Sequence, residues 1–218
     1  MAATLMATCC DPRGCDAFFG RRFARRVARR YRKRGLDRTA RRIVEFLAAN
    51  GIEGATVLEI GGGVGEIQIE LLRRGAARTL NLELSPAYEP EAEALLAEAG
   101  LAGRAERRLH DIAAAPDGVA RADAVVLHRV VCCYPDYERL LGAAAEHAGR
   151  LLVFSYPRFN PLSRALVAAQ NVSFRVLHRE FRTFAHPPAA MLAVVRARGF
   201  EPAYAHRQAV WEVAGLVR

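Results

Sequence analysis

Residues 55–65 constrain the fold more than any other part of this 218-residue chain. A hydrophobic run that ends at Ile60 leads directly into a glycine-rich turn that contains Gly61, Gly63 and Gly65. Glycine permits positive φ angles and lets the backbone approach a flat ligand closely, because it has no Cβ. A strand, a glycine-rich turn and a helix in this order predict a nucleotide-binding βαβ unit.

Strand-like and helix-like segments alternate from residue 55 onward, which predicts a parallel sheet with helices on both faces. The expected strands are 55–60, 78–83, 105–110, 123–128 and 150–155. The expected helices are 65–74, 87–99, 136–148 and 187–198. The last two strand-like runs, 200–207 and 209–217, have so short a link that they must pair antiparallel. We therefore expect a doubly wound α/β fold with a seven-stranded, mostly parallel sheet.

The first 50 residues differ from the rest in charge. Residues 1–42 hold 13 basic and three acidic side chains, a net charge of +10, whereas the whole chain has a net charge of +9. The remainder is therefore close to neutral, at −1. The basic character belongs to an N-terminal arm, and we divide the chain into that arm, 1–50, and a ligand-binding domain, 51–218.

The arm carries two predicted helices. Phe19, Phe23, Val27 and Tyr31 recur at every fourth residue, which predicts one apolar face of a helix. Gly35 ends this helix. A second helix begins at about Asp37, a predicted N-cap, and ends at 50–51. The apolar face of the first helix needs a surface to cover, so we expect the arm to form a lid over the ligand cleft.

The spacing of the glycines separates two kinds of nucleotide ligand. The dinucleotide pattern Gly-x-Gly-x-x-Gly would need a glycine at position 66, where this chain has Glu66. A carboxylate in the first helical turn would also repel a pyrophosphate at the helix N-terminus. S-adenosylmethionine has no phosphate and carries a sulfonium and an ammonium, so Glu59 and Glu66 are compatible with it. Glu83 closes the second strand at the distance of about 20 residues that places a carboxylate beside a ribose.

Glu59-x-Gly61-x-Gly63-x-Gly65 resembles motif I of class I S-adenosylmethionine-dependent methyltransferases. The resemblance implies S-adenosylmethionine as the cofactor and a sheet whose last strand lies between the fifth and the sixth. The segment with Asp111 and Ile112 resembles the one whose acid contacts the adenine amino group in this family, although Asp111 as a helix N-cap remains an alternative.

Two further segments resemble one particular group within this superfamily. Residues 127–137 and 181–186 look like those of magnesium-protoporphyrin O-methyltransferases and their bacterial relatives. In that family the residue before a Tyr-Pro pair is a histidine with a proposed catalytic part, and here it is Cys133. This departure argues against methylation of a porphyrin carboxyl group. Tyr31 is aligned with an N-terminal tyrosine of that family.

The catalytic candidates follow from the chemistry of methyl transfer. The reaction depends on alignment and desolvation, and it needs a base only when the acceptor arrives protonated. His128 ends the fourth strand, where an open sheet binds ligands, so it is the first candidate for a base and for a cofactor contact. A histidine hydrogen-bonded to the backbone at a strand end is the alternative. Tyr31 on the lid and Cys133 are the other catalytic candidates.

The five cysteines leave a second function class open. Their spacing matches no standard zinc pattern, and we expect neither a metal nor disulfides. Cys9, Cys10 and Cys15 on the arm, together with Cys132 and Cys133 at the site, would nevertheless suit a soft metal or metalloid.

The leading prediction is S-adenosylmethionine-dependent methylation of a small molecule. The alternatives are a metal or metalloid methyltransferase that uses the cysteines, an RNA methyltransferase that uses the basic arm, and a non-catalytic S-adenosylmethionine-binding module. The chain has no apolar run of about 18 residues, the length of a membrane span, and no signal-peptide pattern, so we expect a cytoplasmic protein. We expect no nucleic-acid partner, and the oligomeric state stays open.

Overall fold

The computed structural model describes residues 18–218, which contain seven α-helices and seven strands. The predicted turn around Cys9, Cys10 and Cys15 lies outside the described residues. The helices are α1 (Arg21–Arg34), α2 (Arg38–Ala49), α3 (Glu66–Arg73), α4 (Glu89–Glu98), α5 (Tyr137–His147), α6 (Pro161–Val176) and α7 (Pro188–Arg196). The strands are β1 (Thr56–Ile60), β2 (Arg78–Glu83), β3 (Ala105–Leu109), β4 (Ala122–Leu127), β5 (Ala148–Pro157), β6 (Glu201–Arg207) and β7 (Trp211–Val217).

The seven strands form one sheet in the order β3-β2-β1-β4-β5-β7-β6. All neighbours are parallel except β7, which is antiparallel to both β5 and β6. The predicted seven-stranded α/β fold and the predicted place of the last strand are therefore confirmed. Ile60 pairs with Leu82 of β2 on one side and with Leu127 of β4 on the other, so these three strands end at the same edge. The strand order reverses between β1 and β4, which is where open α/β sheets bind ligands.

Hydrophobic side chains of the central strands bury both faces of the sheet. Val57 and Val126 point into a core shared with α1, α2, α3 and α4. Leu58 and Leu127, their neighbours in sequence, point into a second core shared with α5 and α7. Successive residues of a strand face opposite sides, so a parallel sheet covered on both sides needs a continuous apolar run in each strand.

Helix α1 packs on the domain with a face that adjoins the predicted apolar stripe. Its fully buried residues are Ala24 and Ala28, and Tyr31 is nearly so, whereas Phe23 is 37% exposed. The core face is therefore rotated by about one residue from the predicted stripe, because small alanines let the helix approach the domain closely. The predicted helix end is confirmed: Gly35 has a φ of 64° and its N–H donates to the carbonyl oxygen of Tyr31.

Helix α6 was not among the predicted helices. The side chain of Asn160 caps it by accepting from the N–H of Ser163 at 2.8 Å, and Pro161 is its first residue. Phe174 is the only buried residue of α6. Within residues 18–218, no helix is both long enough and apolar enough to cross a membrane.

Candidate active site

A cleft of about 580 Å³ opens at the edge where β1, β2 and β4 end. This volume lies within the range of roughly 300–1,000 Å³ that is typical of small-molecule sites. The floor of the cleft is formed by the loops that follow these strands. Its roof is the inner face of α1, which contributes Phe23, Arg26, Val27, Arg30 and Arg34.

The glycine-rich turn after β1 has no room for side chains. Gly61, Gly63 and Gly65 have φ angles of 67°, 56° and 80°, which L-residues with a side chain rarely adopt. A Cβ on Gly61 would lie 2.5 Å from a methyl carbon of Val130, and one on Gly62 would lie 2.5 Å from Asn81 Oδ1. The turn therefore presents bare backbone to the cleft, and the residues present fit a ligand that lies flat against it.

Glu83, at the end of β2, organises this turn. One carboxylate oxygen accepts from the N–H of Gly63 at 2.9 Å. The other accepts from the N–H groups of Leu84 at 2.8 Å and Ser85 at 3.3 Å. Burial raises the pKa of Glu83, while these backbone donors and the nearby Arg107 act in the opposite direction. The carboxylate also lines the cleft, so the same side chain holds the turn and faces the cleft.

Glu59, near the end of β1, is fully buried at the floor of the cleft. Burial raises the pKa of Glu59 well above its ordinary value, and the negative charge of Glu66 raises it further. Within residues 18–218, its Oε2 atom has no hydrogen-bond partner. An unpartnered carboxyl oxygen beside a glycine turn fits a ligand that brings a cation or a hydroxyl donor.

Asp111 follows β3 and lines the cleft next to the buried Ile112. Its Oδ1 atom accepts from the N–H of Ala113 at 3.0 Å, and the hydroxyl of Tyr134 donates to its Oδ2 at 3.0 Å. Asp111 therefore caps a turn, not an α-helix, while its carboxylate stays at the cleft. The cap and the ligand contact, which the sequence presents as alternatives, are compatible in this geometry.

His128 and Arg129 follow β4 and also line the cleft. His128 Nδ1 lies 3.1 Å from the hydroxyl oxygen of Ser155, and the N–H of Arg129 donates to the same oxygen at 2.9 Å. Burial lowers the pKa of His128, and the nearby Asp37 carboxylate opposes this shift.

Of the other two catalytic candidates, the structure brings only Cys133 to the cleft. The sulfur atom of Cys133 lies 3.7 Å from that of Cys132. The hydroxyl of Tyr31 instead donates to Glu70 at 2.8 Å and accepts from Arg73 at 3.3 Å. Burial and the bond to Glu70 raise the pKa of Tyr31, so the phenol keeps its proton. Tyr31 anchors α1 to α3 and does not line the cleft.

Arg30 and Asp37 line the cleft but were not recognised from the sequence as site residues, and Asp37 was identified only as a helix cap. That role is correct, since Asp37 accepts from the N–H groups of Thr39 and Ala40 at 2.9 Å each. The cap pattern was the only local signal at Asp37, because its partner Arg129 is distant in the chain.

Residues 28–204 match a family model described as a methyltransferase domain. A search of curated proteins found no match. Among solved structures, magnesium protoporphyrin IX methyltransferase from Synechocystis PCC 6803, with bound SAH (S-adenosylhomocysteine), is similar with a TM-score of 0.75. It is 19% identical, and the match covers 95% of this chain and 100% of that chain.

An O-methyltransferase family protein from Burkholderia thailandensis is similar with a TM-score of 0.68 and 20% identity, over 90% of this chain and 60% of that chain. An O-methyltransferase family 2 protein from Planctomyces limnophilus, in complex with apigenin, has a TM-score of 0.61 and 16% identity, over 82% and 61% of the two chains. At these identities the likeness shows the fold, whereas the family match spans most of the chain. The chain belongs to the family of S-adenosylmethionine-dependent methyltransferase domains.

Proposed function

We propose that this protein transfers a methyl group from S-adenosylmethionine to a small-molecule acceptor inside the cleft beneath α1. The observation that carries this proposal is the roof: α1 of the same chain covers the turn after β1 and the end of β4. An acceptor that reacts there is enclosed between the roof and the floor. Such enclosure suits a small molecule and excludes water, which methyl transfer requires.

The cofactor half of the proposed site consists of the loops after β1, β2 and β3. Glu83 would accept from the ribose hydroxyls, because a carboxylate can accept from two adjacent donors at once. Asp111 and Ile112 would hold the adenine, and Glu59 with the glycine turn would hold the methionine part. When bound, S-adenosylmethionine supplies an electrophilic methyl group on a sulfonium. The carboxylates on this side of the cleft favour the positive charges of that cofactor.

The acceptor half of the proposed site lies between α1 and the loop after β4. Its walls combine apolar side chains, such as Val27 and Val130, with guanidinium groups of the roof. Arg26 and Arg34 make no ion pair with an acid within residues 18–218. Free guanidinium groups on an apolar wall suit an acceptor that carries a negative charge.

A labelled-methyl assay tests the proposal. The protein is incubated with tritiated S-adenosylmethionine and, in parallel, with a panel of aromatic acids, phenols and amines or with total RNA. We expect label in a small molecule and release of S-adenosylhomocysteine. Label that enters RNA alone would support the alternative RNA methyltransferase. Tight S-adenosylmethionine binding without transfer to any cellular small-molecule extract would support a non-catalytic binding module.

A further inference from the structure

The two oxygens of Asp37 have different partners. Oδ1 accepts from the first N–H groups of α2, as a helix cap does. Oδ2 lies 2.8 Å from Arg129 Nη2, 3.5 Å from Arg30 Nη2 and 3.8 Å from His128 Nε2. A cap needs only the first oxygen. The second oxygen therefore has contacts that the helix cap does not explain.

These contacts connect the roof of the cleft with its floor. Arg30 belongs to α1, the roof, whereas His128 and Arg129 follow β4 at the floor. Asp37 itself lies in the short connection between α1 and α2. One carboxylate oxygen thus joins the C-terminal part of α1 to the end of β4.

Ser155 fixes the side of His128 that faces away from Asp37. Its hydroxyl oxygen accepts from the N–H of Arg129 at 2.9 Å and lies 3.1 Å from His128 Nδ1. The other ring nitrogen, Nε2, faces Asp37 Oδ2 at 3.8 Å. The imidazole therefore lies between Ser155 and Asp37.

The carboxylate of Asp37 supplies a negative charge beside the guanidinium groups of Arg30 and Arg129. Burial raises the pKa of Asp37, but the contact with His128, the N–H of Ala40 and the charge of Arg129 outweigh it and hold the pKa well below its ordinary value. Glu66 is the other acid near Arg30 and Arg129. Without the charge of Asp37, the guanidinium groups of Arg30 and Arg129 would lose the anion between them. Within the described residues, the Nε atom of the partly buried Arg129 already has no hydrogen-bond partner.

We propose that Asp37 is a positioning residue of the methyl-transfer site, whose Oδ2 atom holds α1 closed over the cleft through Arg30 and orients His128 and Arg129 at the floor. The inference rests on the proposed function. It assigns no proton transfer to Asp37. The carboxylate acts through its neighbours, and its loss loosens the roof over a bound cofactor.

Asp37→Asn separates this role from helix capping. Asparagine caps helices about as well as aspartate, so the variant keeps the cap and removes the charge. The matched control is Asp136→Asn. Asp136 caps α5 by accepting from the N–H of Arg139 at 3.0 Å, and it does not line the cleft. Both variants should unfold at the same temperature as the wild type to within a few degrees.

The only tryptophan of the chain reports on the proposed change. The guanidinium carbon of Arg129 lies 4.9 Å from the ring centroid of Trp211. When Arg129 loses Asp37, this contact changes, so we expect Asp37→Asn to shift the fluorescence of Trp211 in the ligand-free protein. Asp136→Asn should leave it unchanged.

Dissociation of S-adenosylhomocysteine, measured by stopped-flow displacement, reports on the roof. We expect release from Asp37→Asn to be about tenfold faster than from the wild type, because loss of a partly buried charge pair acts mainly on dissociation. Arg30→Gln should also accelerate the release of S-adenosylhomocysteine. Asp136→Asn should release at the wild-type rate.

The outcomes distinguish the inference from the function on which it rests. If the wild type does not bind S-adenosylhomocysteine at all, the proposed function fails, while the fluorescence of Trp211 still tests the role of Asp37. Unchanged Trp211 fluorescence together with an unchanged release rate in Asp37→Asn would overturn the inference. A change of equal size in Asp136→Asn would overturn it as well, since the effect would then belong to helix capping in general.

Discussion

The carboxylate of Glu83 accepts three backbone hydrogen bonds and still has lone pairs at the cleft. Two of these bonds lie within its own loop, and the third reaches the glycine turn at Gly63. Sequence alone predicts the place of Glu83 at the strand end. The bond to Gly63 is visible only in the fold, because it joins two turns that β1 and β2 bring side by side.

Glu83→Gln should lower the affinity for S-adenosylhomocysteine by about 1.5 to 3 kcal/mol, the size of hydrogen bonds to a charged group. The glutamine amide keeps one acceptor oxygen but has no charge, and its NH2 group lies beside the backbone N–H donors. Isothermal titration calorimetry measures the change. Glu93→Gln, on the exposed side of α4, is the control and should bind as the wild type does. Equal affinity of a folded Glu83→Gln protein would remove the ribose assignment.

Glu59→Gln should change how stability depends on pH. The pKa of Glu59 in the folded state lies above its ordinary value of 4.5, so the folded state holds this proton more tightly than the unfolded state. The stabilisation is complete below about pH 4.5 and is lost as the pH rises through the folded-state pKa. Glutamine has no such loss.

At pH 8, and without ligand, we expect Glu59→Gln to unfold at least about 2 °C above the wild type, the shift that ~1 kcal/mol gives in a chain of this size. At pH 4 the difference should shrink. Thermal unfolding followed by circular dichroism measures both. A constant difference across this pH range would show that the carboxyl of Glu59 does not titrate as its burial indicates.

Helix α1 contacts the domain and the cleft with different faces. Ala24, Ala28 and Tyr31 face the core, Phe23 lines the cleft, and Val27 contacts both. The predicted stripe contains residues of both faces. The sequence shows which helix residues are apolar, but it does not show which of them contact the core and which line a ligand site.

Tyr31→Phe tests the anchoring role of Tyr31. The variant loses the hydroxyl that donates to Glu70, so we expect a loss of about 1 kcal/mol in the free energy of unfolding and no change in methyl transfer. Urea unfolding and the labelled-methyl assay measure the two effects. Tyr137→Phe, whose hydroxyl bonds to Glu138 in an exposed position, is the control and should lose neither. A hundredfold loss of turnover in Tyr31→Phe at unchanged stability would return Tyr31 to the catalytic candidates.

The arginines of α1 allow a comparison within one helix. Both Arg26 and Arg29 are exposed, but only Arg26 lines the cleft. With the acceptor found by the labelled-methyl assay, we expect Arg26→Gln to raise the KM for that acceptor about tenfold, as loss of a charge-assisted hydrogen bond does, and Arg29→Gln to leave it unchanged. If Arg26→Gln instead weakens S-adenosylhomocysteine binding and leaves that KM unchanged, Arg26 serves the cofactor and the acceptor needs no negative charge.

Helix α6 and the contacts of Asp37 with the floor of the cleft were not predicted from the sequence. Asn160-Pro161 is a recognisable helix start, yet α6 was not predicted, and its apolar residues are mostly exposed, so they form no core-facing pattern that matches the structure. The strands and the glycine motif were predicted because they are local patterns. The contact of Asp37 with Arg129 depends on the folded sheet, because the elements from α2 to β4 separate the two residues in the chain.

In the whole molecule, the cleft lies at the point where the strand order reverses. Turns that follow β1, β2, β3 and β4 supply the floor, and the N-terminal helix supplies the roof. The lining residues come from several separate segments, so the cleft exists only in the folded chain. Ligand binding to such a cleft stabilises the folded state as a whole.

S-adenosylhomocysteine at about 100 times its Kd should therefore raise the unfolding temperature by roughly 5 to 10 °C, which corresponds to ~2.7 kcal/mol of stabilisation. NADH at the same concentration should have no effect, because Glu66 stands where a pyrophosphate would need a free helix N-terminus. A thermal shift assay measures both. An equal shift with NADH would place the chain among dinucleotide-binding proteins in its ligand preference.

A crystal structure of the protein with bound S-adenosylhomocysteine tests the central claim most directly. We predict the ligand in the cleft under α1, with the ribose hydroxyls on the carboxylate of Glu83 and the adenine beside Asp111 and Ile112. We also predict the homocysteine part against the turn that contains Gly61. A ligand bound elsewhere, or one in this cleft with its ribose away from Glu83, would contradict the account.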